Sequence, residues 1–419
     1  MRPLRLLIIS SDTFPPTRVD LSVLFGTELA RRGHTIDLIL QSEADCAAPY
    51  TSAWEGGRAW VGATNLGPSL VSRVVKHLRG IGNDLRVFSR LRRRHYDAVE
   101  VKDKFLSGVM ALLASRLSRT RFIYWLSYPF PEHYLLRAAD GTARYPLLYK
   151  LRGAAFKWLL YRWLLPKADH VFVQSEQMRL DVAAQGIRLD KMTAVPMGVR
   201  IELCAAPDLS QRRRLLPSAV PCVLYLGTLN RVRRLDFLIR AFARVVAVKP
   251  QALLYIVGQG DHPEDRTFLE NEAARWSIGS SVVFVGQLPQ PEALVYVQES
   301  DVCTSPFYPT PILQSASPTK LVEYLAAGKP VVANDHPEQR RVIEDSGAGI
   351  CTPYDEGAFA AAILSLLEDP ARCRAMGERG RRYVIEHRSY GAIADLVERR
   401  LLEVVEGRCG GPAEDDVHA

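Results

Sequence analysis

The chain has cysteines but lacks any pattern that would make them structural. Cys46, Cys204, Cys222, Cys303, Cys351, Cys373 and Cys409 are scattered over 419 residues, with no CxxC pair and no Cys/His ligand spacing. This argues against a disulfide framework and a structural zinc site, and suggests a reducing, cytosolic compartment. Long apolar runs are missing too. The opening MRPLRLLIISSD breaks at Ser10 and Asp12, too early for a signal-peptide core, and reads as a first buried strand. The best candidate for a membrane span, Pro146 to Leu165, carries Lys150, Arg152, Lys157 and Arg162, and each charge costs roughly 2.5–3.5 kcal/mol at a bilayer centre. There is no Walker A sequence, no DxD and no metal-ligand cluster. GQGDHP, Gly258 to Pro263, lacks the third glycine of a dinucleotide fingerprint and reads as a tight turn.

What the chain does have is length for two cores, 47% hydrophobic residues and a net charge of +8. That charge favours an acidic partner, which could be a nucleotide, a nucleic acid or an anionic bilayer. Short apolar runs alternate with amphipathic stretches: LRLLIIS, Val19 to Arg32, TIDLIL, then DAVEV, Phe105 to Leu117, RFIYWL and HVFVQS. Such alternation predicts βαβ units and parallel sheets. It breaks between Pro196 and Pro221 and resumes with CVLYLG, ALLYIVG, SVVFVG, DVCTSP, PVVAN and GAGICTP. The expected fold is α/β, with two doubly wound Rossmann-like domains facing across a cleft. The first covers residues 1–198 and the second residues 199–388; a helix over 389–407 returns to the first domain, and 408–419 is a frayed tail.

In such sheets ligands bind beyond the carboxyl ends of the strands. In the second domain GTLNRVRRLD, GQGD and SPTKLVEYLAAGKPVVAND follow three strand ends. A helix capped by Ser317 with Pro318 at its first position would present free N–H groups and a positive dipole end to an anion. Lys320 in its first turn opposes that dipole by about 0.3–1 kcal/mol unless an anion sits between them. Arg231 and Arg233 could close on the same anion. Glu323, one turn deeper on the same face, could accept two hydroxyl hydrogen bonds from a ribose. Together these residues suggest a nucleoside diphosphate. Lys320 with Glu323 could equally be a surface ion pair, and RVRR a solvated loop. Lys329 reads as a surface residue.

Taken in order, YLGTLNRVRRLDFLIRAF, YIVGQGD, VVFVGQL, DVCTSPF and SPTKLVEYLAAGKPVVAND resemble the nucleotide-sugar half of a GT-B glycosyltransferase of the large retaining, glycosyltransferase-4-like (group 1) family. ELARRGHTIDLIL and TAVPMGV extend the likeness over most of the chain. The resemblance implies that Arg233 stands at the family's diphosphate-binding lysine. It also implies that Arg231 replaces the arginine usual after the glycine Gly227, where Thr228 stands here. Glu323 matches the ribose-binding glutamate, and Ser315 stands where a glutamate often touches the donor sugar. Ser317, Thr319 and Lys320 then form the phosphate clamp, and backbone at Gln287 and Leu288 meets the base. The reaction implied is sugar transfer from a nucleotide-diphosphate sugar to a glycan or polyprenyl-linked acceptor, with retention and with no cofactor or metal.

In the first domain the loop SSDTFPPTRVD replaces the family's glycine-rich turn; Arg18 could reach a phosphate or only pair with Asp20. Asp103 and Ser127, after the next strands, are candidates for acceptor or donor-sugar contacts, and His133 reads as a loop histidine. In residues 70–94 an apolar stripe of Val71, Val74, Leu78, Ile81, Leu85 and Phe88 runs beside Lys76, Arg79, Arg86, Arg90 and Arg93. A basic amphipathic helix of this kind reads anionic bilayers, although it could also pack its stripe on the sheet. The aromatic and basic Tyr145 to Lys167 could add an anchor or be a buried helix. The expectation is therefore a cytoplasmic protein peripheral to the inner face of the cell membrane, with no nucleic-acid partner. The competing readings are a GT-B nucleotide-sugar 2-epimerase and a noncatalytic, membrane-associated partner of a polysaccharide assembly complex.

Overall fold

The computed structural model describes residues 2–64, 67, 69–93, 95–204 and 214–408. The expected tail, from Cys409 on, lies outside them. The chain forms two compact units, one made of the chain up to Pro196 together with the chain from Ile393, the other of Met197–Ala392. Met197 falls in the second unit because its N–H donates to the Ser317 hydroxyl, 2.9 Å away, while Val199 N–H donates to the Arg388 carbonyl.

The first unit is built on an eight-stranded sheet. Its strands are β1 (Arg5–Phe14), β2 (Thr35–Ser42), β3 (Tyr50–Trp54), β4 (Gly57–Gly62), β5 (Ala98–Lys102), β6 (Arg121–Leu126), β7 (His170–Val173) and β8 (Met192–Ala194), in the order β3-β4-β2-β1-β5-β6-β7-β8. Among the described residues, only β3 runs antiparallel to its neighbour in this sheet. That edge hairpin has no counterpart in the sequence reading, because YTSAW and GRAWVG are short and their apolar residues do not alternate. The interior strands are buried on both faces, as a parallel sheet requires, and Trp125, Tyr124 and Phe172 are among the largest fully buried side chains.

The basic segment is not one helix. It forms Leu70–Asp84 and Arg86–Arg93, separated at Leu85. Most of its apolar stripe faces solvent, Val71 being 71% exposed and Val74, Leu78 and Leu85 exposed as well, while Phe88 at its end packs on the core. Val87 and Leu91, outside the stripe, are the residues of this segment buried in the core. Pro146–Trp158 is likewise a surface helix with Leu147, Leu148, Leu151 and Trp158 exposed, followed by a π-helical turn, Leu159–Leu164, that carries the buried residues Leu160 and Leu164. Among the described residues no helix is long and apolar enough to cross a membrane. The C-terminal helix, Tyr390–Glu406, is tied into this unit by Glu398, which accepts from Arg32 at 2.6 Å and pairs with the His34 ring at 2.9 Å.

The second unit has six parallel strands, β9 (Cys222–Leu226), β10 (Leu253–Val257), β11 (Val282–Gly286), β12 (Val302–Ser305), β13 (Val331–Asn334) and β14 (Gly349–Thr352), ordered β11-β10-β9-β12-β13-β14. Helices cover both faces, and the sheet's two sides feed separate hydrophobic clusters, one around Phe237, Phe242 and Phe359, the other around Leu224, Tyr324 and Leu325.

Candidate active site

In the second unit, the strand order reverses around β9 and β12, and the residues following those strands converge there. The turn after β9 uses Gly227 at φ +148 and the turn after β10 uses Gly258 at φ +138, conformations that only glycine enters readily. A Cβ on Gly258 would lie 2.0 Å from the Gly227 carbonyl oxygen, so the two turns pack backbone to backbone. The Gly227 N–H donates to Val257 O at 2.9 Å, and Asn230 and Asp261 bond reciprocally across the loops. GQGDHP is thus a tight turn that buttresses Gly227.

Lys320 reaches this point from the helix Thr319–Ala326. Its ammonium donates to the Tyr225 hydroxyl at 3.0 Å, lies over the Tyr225 ring, and would sit 3.3 Å from a Cβ on Gly227. The Phe307 ring lies under both cations, 5.3 Å from the Lys320 ammonium and 5.5 Å from the Arg233 guanidinium. Burial pushes the Lys320 ammonium well below the ordinary lysine value; Arg233 adds to the effect and Glu323 opposes it. Two cations held on one aromatic floor, beside a turn with no side chain, form a place where an oxyanion would be stabilised.

The helix start differs from the expectation. Ser317 does not cap it; its hydroxyl is occupied by Met197 N–H, and Pro318 holds the cap position without a side-chain bond. The free N–H groups therefore begin at Thr319. Arg231 also departs from its expected place. It lies over Phe268 at 4.5 Å and beside Asp265 at 3.9 Å, while Arg233 faces Phe307. The cause is the 3₁₀ turn Arg231–Arg233, in which residues two apart point to different sides. Lys329 is half-buried rather than a surface residue, and burial lowers its pKa.

Glu323 lies one turn beyond Lys320 and accepts from the Gln290 amide at 2.8 Å. Burial raises its pKa, with the Gln290 bond and Lys320 acting the other way. Gln287 is exposed after β11, and Leu288 packs on the cluster that contains Tyr324. Ser315 is buried at the end of the short helix Pro311–Gln314, its hydroxyl 3.4 Å from Pro311 O. Sequence reasoning missed Tyr225, Phe307, Gln290 and Asn334. Asn334 clamps Phe307 by accepting its N–H at 2.5 Å and donating to its carbonyl at 2.8 Å. The legible signal for Asn334 was a polar residue closing the apolar run PVVAN.

The first unit gathers its own polar cluster at strand ends. Arg18 contacts Asp20 at 3.2 Å, Asp12 at 3.7 Å and the Ser127 hydroxyl at 3.3 Å, so it pairs within the loop as well as with β6's end. Lys102 makes a short ion pair with Asp20. Burial alone would raise Asp20, but Lys102 and Arg18 hold it below the usual carboxylate range. Asp103, left-handed at φ 55, accepts both the N–H and, in a short bond, the hydroxyl of Ser127; burial raises its pKa despite these bonds. His133 is half-buried in the helix Phe130–Ala139, its ring 3.0 Å from the Tyr128 hydroxyl.

Family models match stretches of both units. Residues 208–383 match the family "Glycosyl transferases group 1", and residues 25–198 match "Glycosyl transferase 4-like domain". The sucrose-phosphate synthase of Thermosynechococcus elongatus superposes with a TM-score of 0.74 at 21% identity, covering 97% of this chain and all of that one. Anabaena HepE in complex with UDP gives 0.69 at 16% identity over 96% of this chain and all of that one. The fold is GT-B, and the chain belongs to the group 1, glycosyltransferase-4-like family. Among curated relatives, the alpha-monoglucosyldiacylglycerol synthase of Streptococcus pneumoniae is 24% identical over 65% of this chain and 59% of its own length. The phosphatidyl-myo-inositol mannosyltransferase of Mycobacterium leprae is 29% identical over 58% of this chain and 62% of its own. The chain thus spans about three fifths of the length of these relatives.

Proposed function

We propose that this chain is a metal-independent glycosyltransferase that moves a sugar from a nucleotide-diphosphate sugar to a lipid-linked or glycan acceptor, with retention, at an anionic membrane surface. The observation that carries the reading is the convergence of Lys320 and Arg233 on Phe307 beside the bare backbone of Gly227. A leaving diphosphate seated there would gain charge as its bond to the anomeric carbon breaks, and preorganised cations stabilise that charge without a metal. Glu323 takes the ribose hydroxyls, the backbone at Gln287 and Leu288 meets the base, and Ser315 lies on the sugar side. Asp103, Ser127, Arg18 and Asp20 supply contacts to acceptor or donor sugar.

The acceptor reading draws on two exposed faces. On the helix Leu70–Asp84, Val71, Val74 and Leu78 face solvent beside Arg73 and Arg79; on Pro146–Trp158, Leu147, Leu151 and Trp158 do so close to Lys150 and Lys157. Apolar rows flanked by cations suit the boundary of an anionic bilayer. The names of the streptococcal and mycobacterial relatives, which refer to diacylglycerol and phosphatidylinositol, agree with such an acceptor, and neighbours solved with UDP or UDP-glucose agree with the donor. The test is incubation with UDP-, GDP- and dTDP-sugars, with and without a lipid extract. Acceptor-dependent nucleotide release is expected; isomerised sugar without release, or binding with neither, would overturn the reading.

A further inference from the structure

At the amino-terminal edge of the first unit's sheet, opposite the strand ends described above, a cavity of about 590 Å³ opens among Arg2, Arg116, Arg119, Arg121, Asp97 and Asp169. Both carboxylates are already engaged in holding strand starts. Asp97 accepts Arg5 N–H at 2.8 Å and pairs with Arg2 at 2.6 Å; Asp169 accepts Phe122 N–H at 2.8 Å and stands 3.4 Å from Arg121 and 4.0 Å from Arg116. Four guanidiniums against two shared carboxylates leave an excess of positive charge inside one concavity. The chain holds Arg119 there in a left-handed conformation, φ 56, at the end of the helix Phe105–Ser118. That helix ends beside the cavity with Leu113 exposed and Leu117 81% exposed.

We propose that this cavity is a second anion site, separate from the sugar-transfer site, that binds a phosphoryl group presented either by a lipid headgroup or by a free phosphate compound. Forked guanidiniums match tetrahedral phosphoryl oxygens with paired N–H donors, which a row of lysines would not. The volume admits a phosphorylated headgroup, and the exposed leucines on the helix that carries Arg116 would meet acyl chain if the phosphate belongs to a lipid.

The experiment compares the full chain with an Arg116→Gln/Arg119→Asn variant, asparagine being chosen because it tolerates the left-handed conformation. Two probes distinguish the sources. Titration with inorganic pyrophosphate is run with excess UDP present, so that a nucleotide site in the other unit is occupied. Flotation uses phosphatidylcholine vesicles with and without phosphatidylglycerol. Loss of about tenfold in pyrophosphate affinity assigns a free phosphate compound. A similar loss confined to the phosphatidylglycerol vesicles assigns a lipid headgroup. Unchanged binding of both probes by a variant with an unchanged circular dichroism spectrum overturns the site. UDP affinity should be the same in both proteins, so this outcome does not depend on the proposed function.

Discussion

The Lys320 ammonium donates to the Tyr225 hydroxyl at 3.0 Å and lies 4.1 Å from the centroid of the same ring. A cation is therefore buried against an aromatic floor, with Arg233 rather than a carboxylate as its strongest charged neighbour. Such a group costs folding free energy and is kept where a ligand makes use of it. We predict that Lys320→Met leaves the ligand-free protein as stable or more stable in thermal melts, while kcat falls by roughly 10²–10³. A variant that melts lower and turns over normally would make Lys320 a structural residue.

Donor binding should show a pH window narrowed from both sides. Binding needs Lys320 charged and Glu323 ionised. Because the Lys320 pKa is lowered, affinity declines on the alkaline side sooner than for an ordinary lysine; because the Glu323 pKa is raised, it declines on the acid side sooner than for an ordinary glutamate. A bound diphosphate favours the charged lysine, so binding on the alkaline limb takes up protons. Calorimetry in buffers of different ionisation enthalpy measures that uptake.

The sequence showed the two doubly wound halves because parallel strands buried on both faces leave near-continuous apolar runs, and RFIYWL coincides with β6 from Arg121 to Leu126. It showed Lys320 and Glu323 because helical spacing puts them on one face. It could not show that Arg231 and Arg233 part company, since that follows from a 3₁₀ turn rather than from RVRR itself. Nor could it show Phe307 as the floor under two cations, because Asn334 fixes that loop from 27 residues away in sequence. The outward stripe on Leu70–Asp84 was hidden for a different reason: periodicity reveals that a helix has an apolar face, not whether protein covers it.

Glu100 is a separate case. It stands in the middle of β5 between Ile8 and Ile123, neither side-chain oxygen has a hydrogen-bond partner among the described residues, and burial pushes its pKa from 4.5 to about 8, with Lys102 opposing and Asp20 adding. The folded state keeps a proton that the unfolded chain releases, so stability falls as pH rises from about 4.5 to about 8. Glu100→Gln should remove much of that slope and raise the melting temperature at neutral pH, with little gain at pH 4. An unchanged slope of melting temperature against pH would contradict this.

The outward apolar stripe bears on membrane contact. Replacing Val71 and Leu78 by glutamate should reduce flotation with anionic vesicles by about an order of magnitude, since each change removes apolar burial and adds repulsion near the surface. Solubility and donor binding should be unaffected. Equal recovery on neutral and anionic vesicles by the unaltered protein would remove the electrostatic part of the account.

The most direct measurement is calorimetric titration of UDP, GDP and dTDP into the unaltered protein and into Glu323→Ala. At least one nucleotide should bind the unaltered protein saturably, with binding weakened about tenfold or more by the substitution while the fold is retained. Binding that survives Glu323→Ala unchanged, or no binding of any of the three, would contradict this.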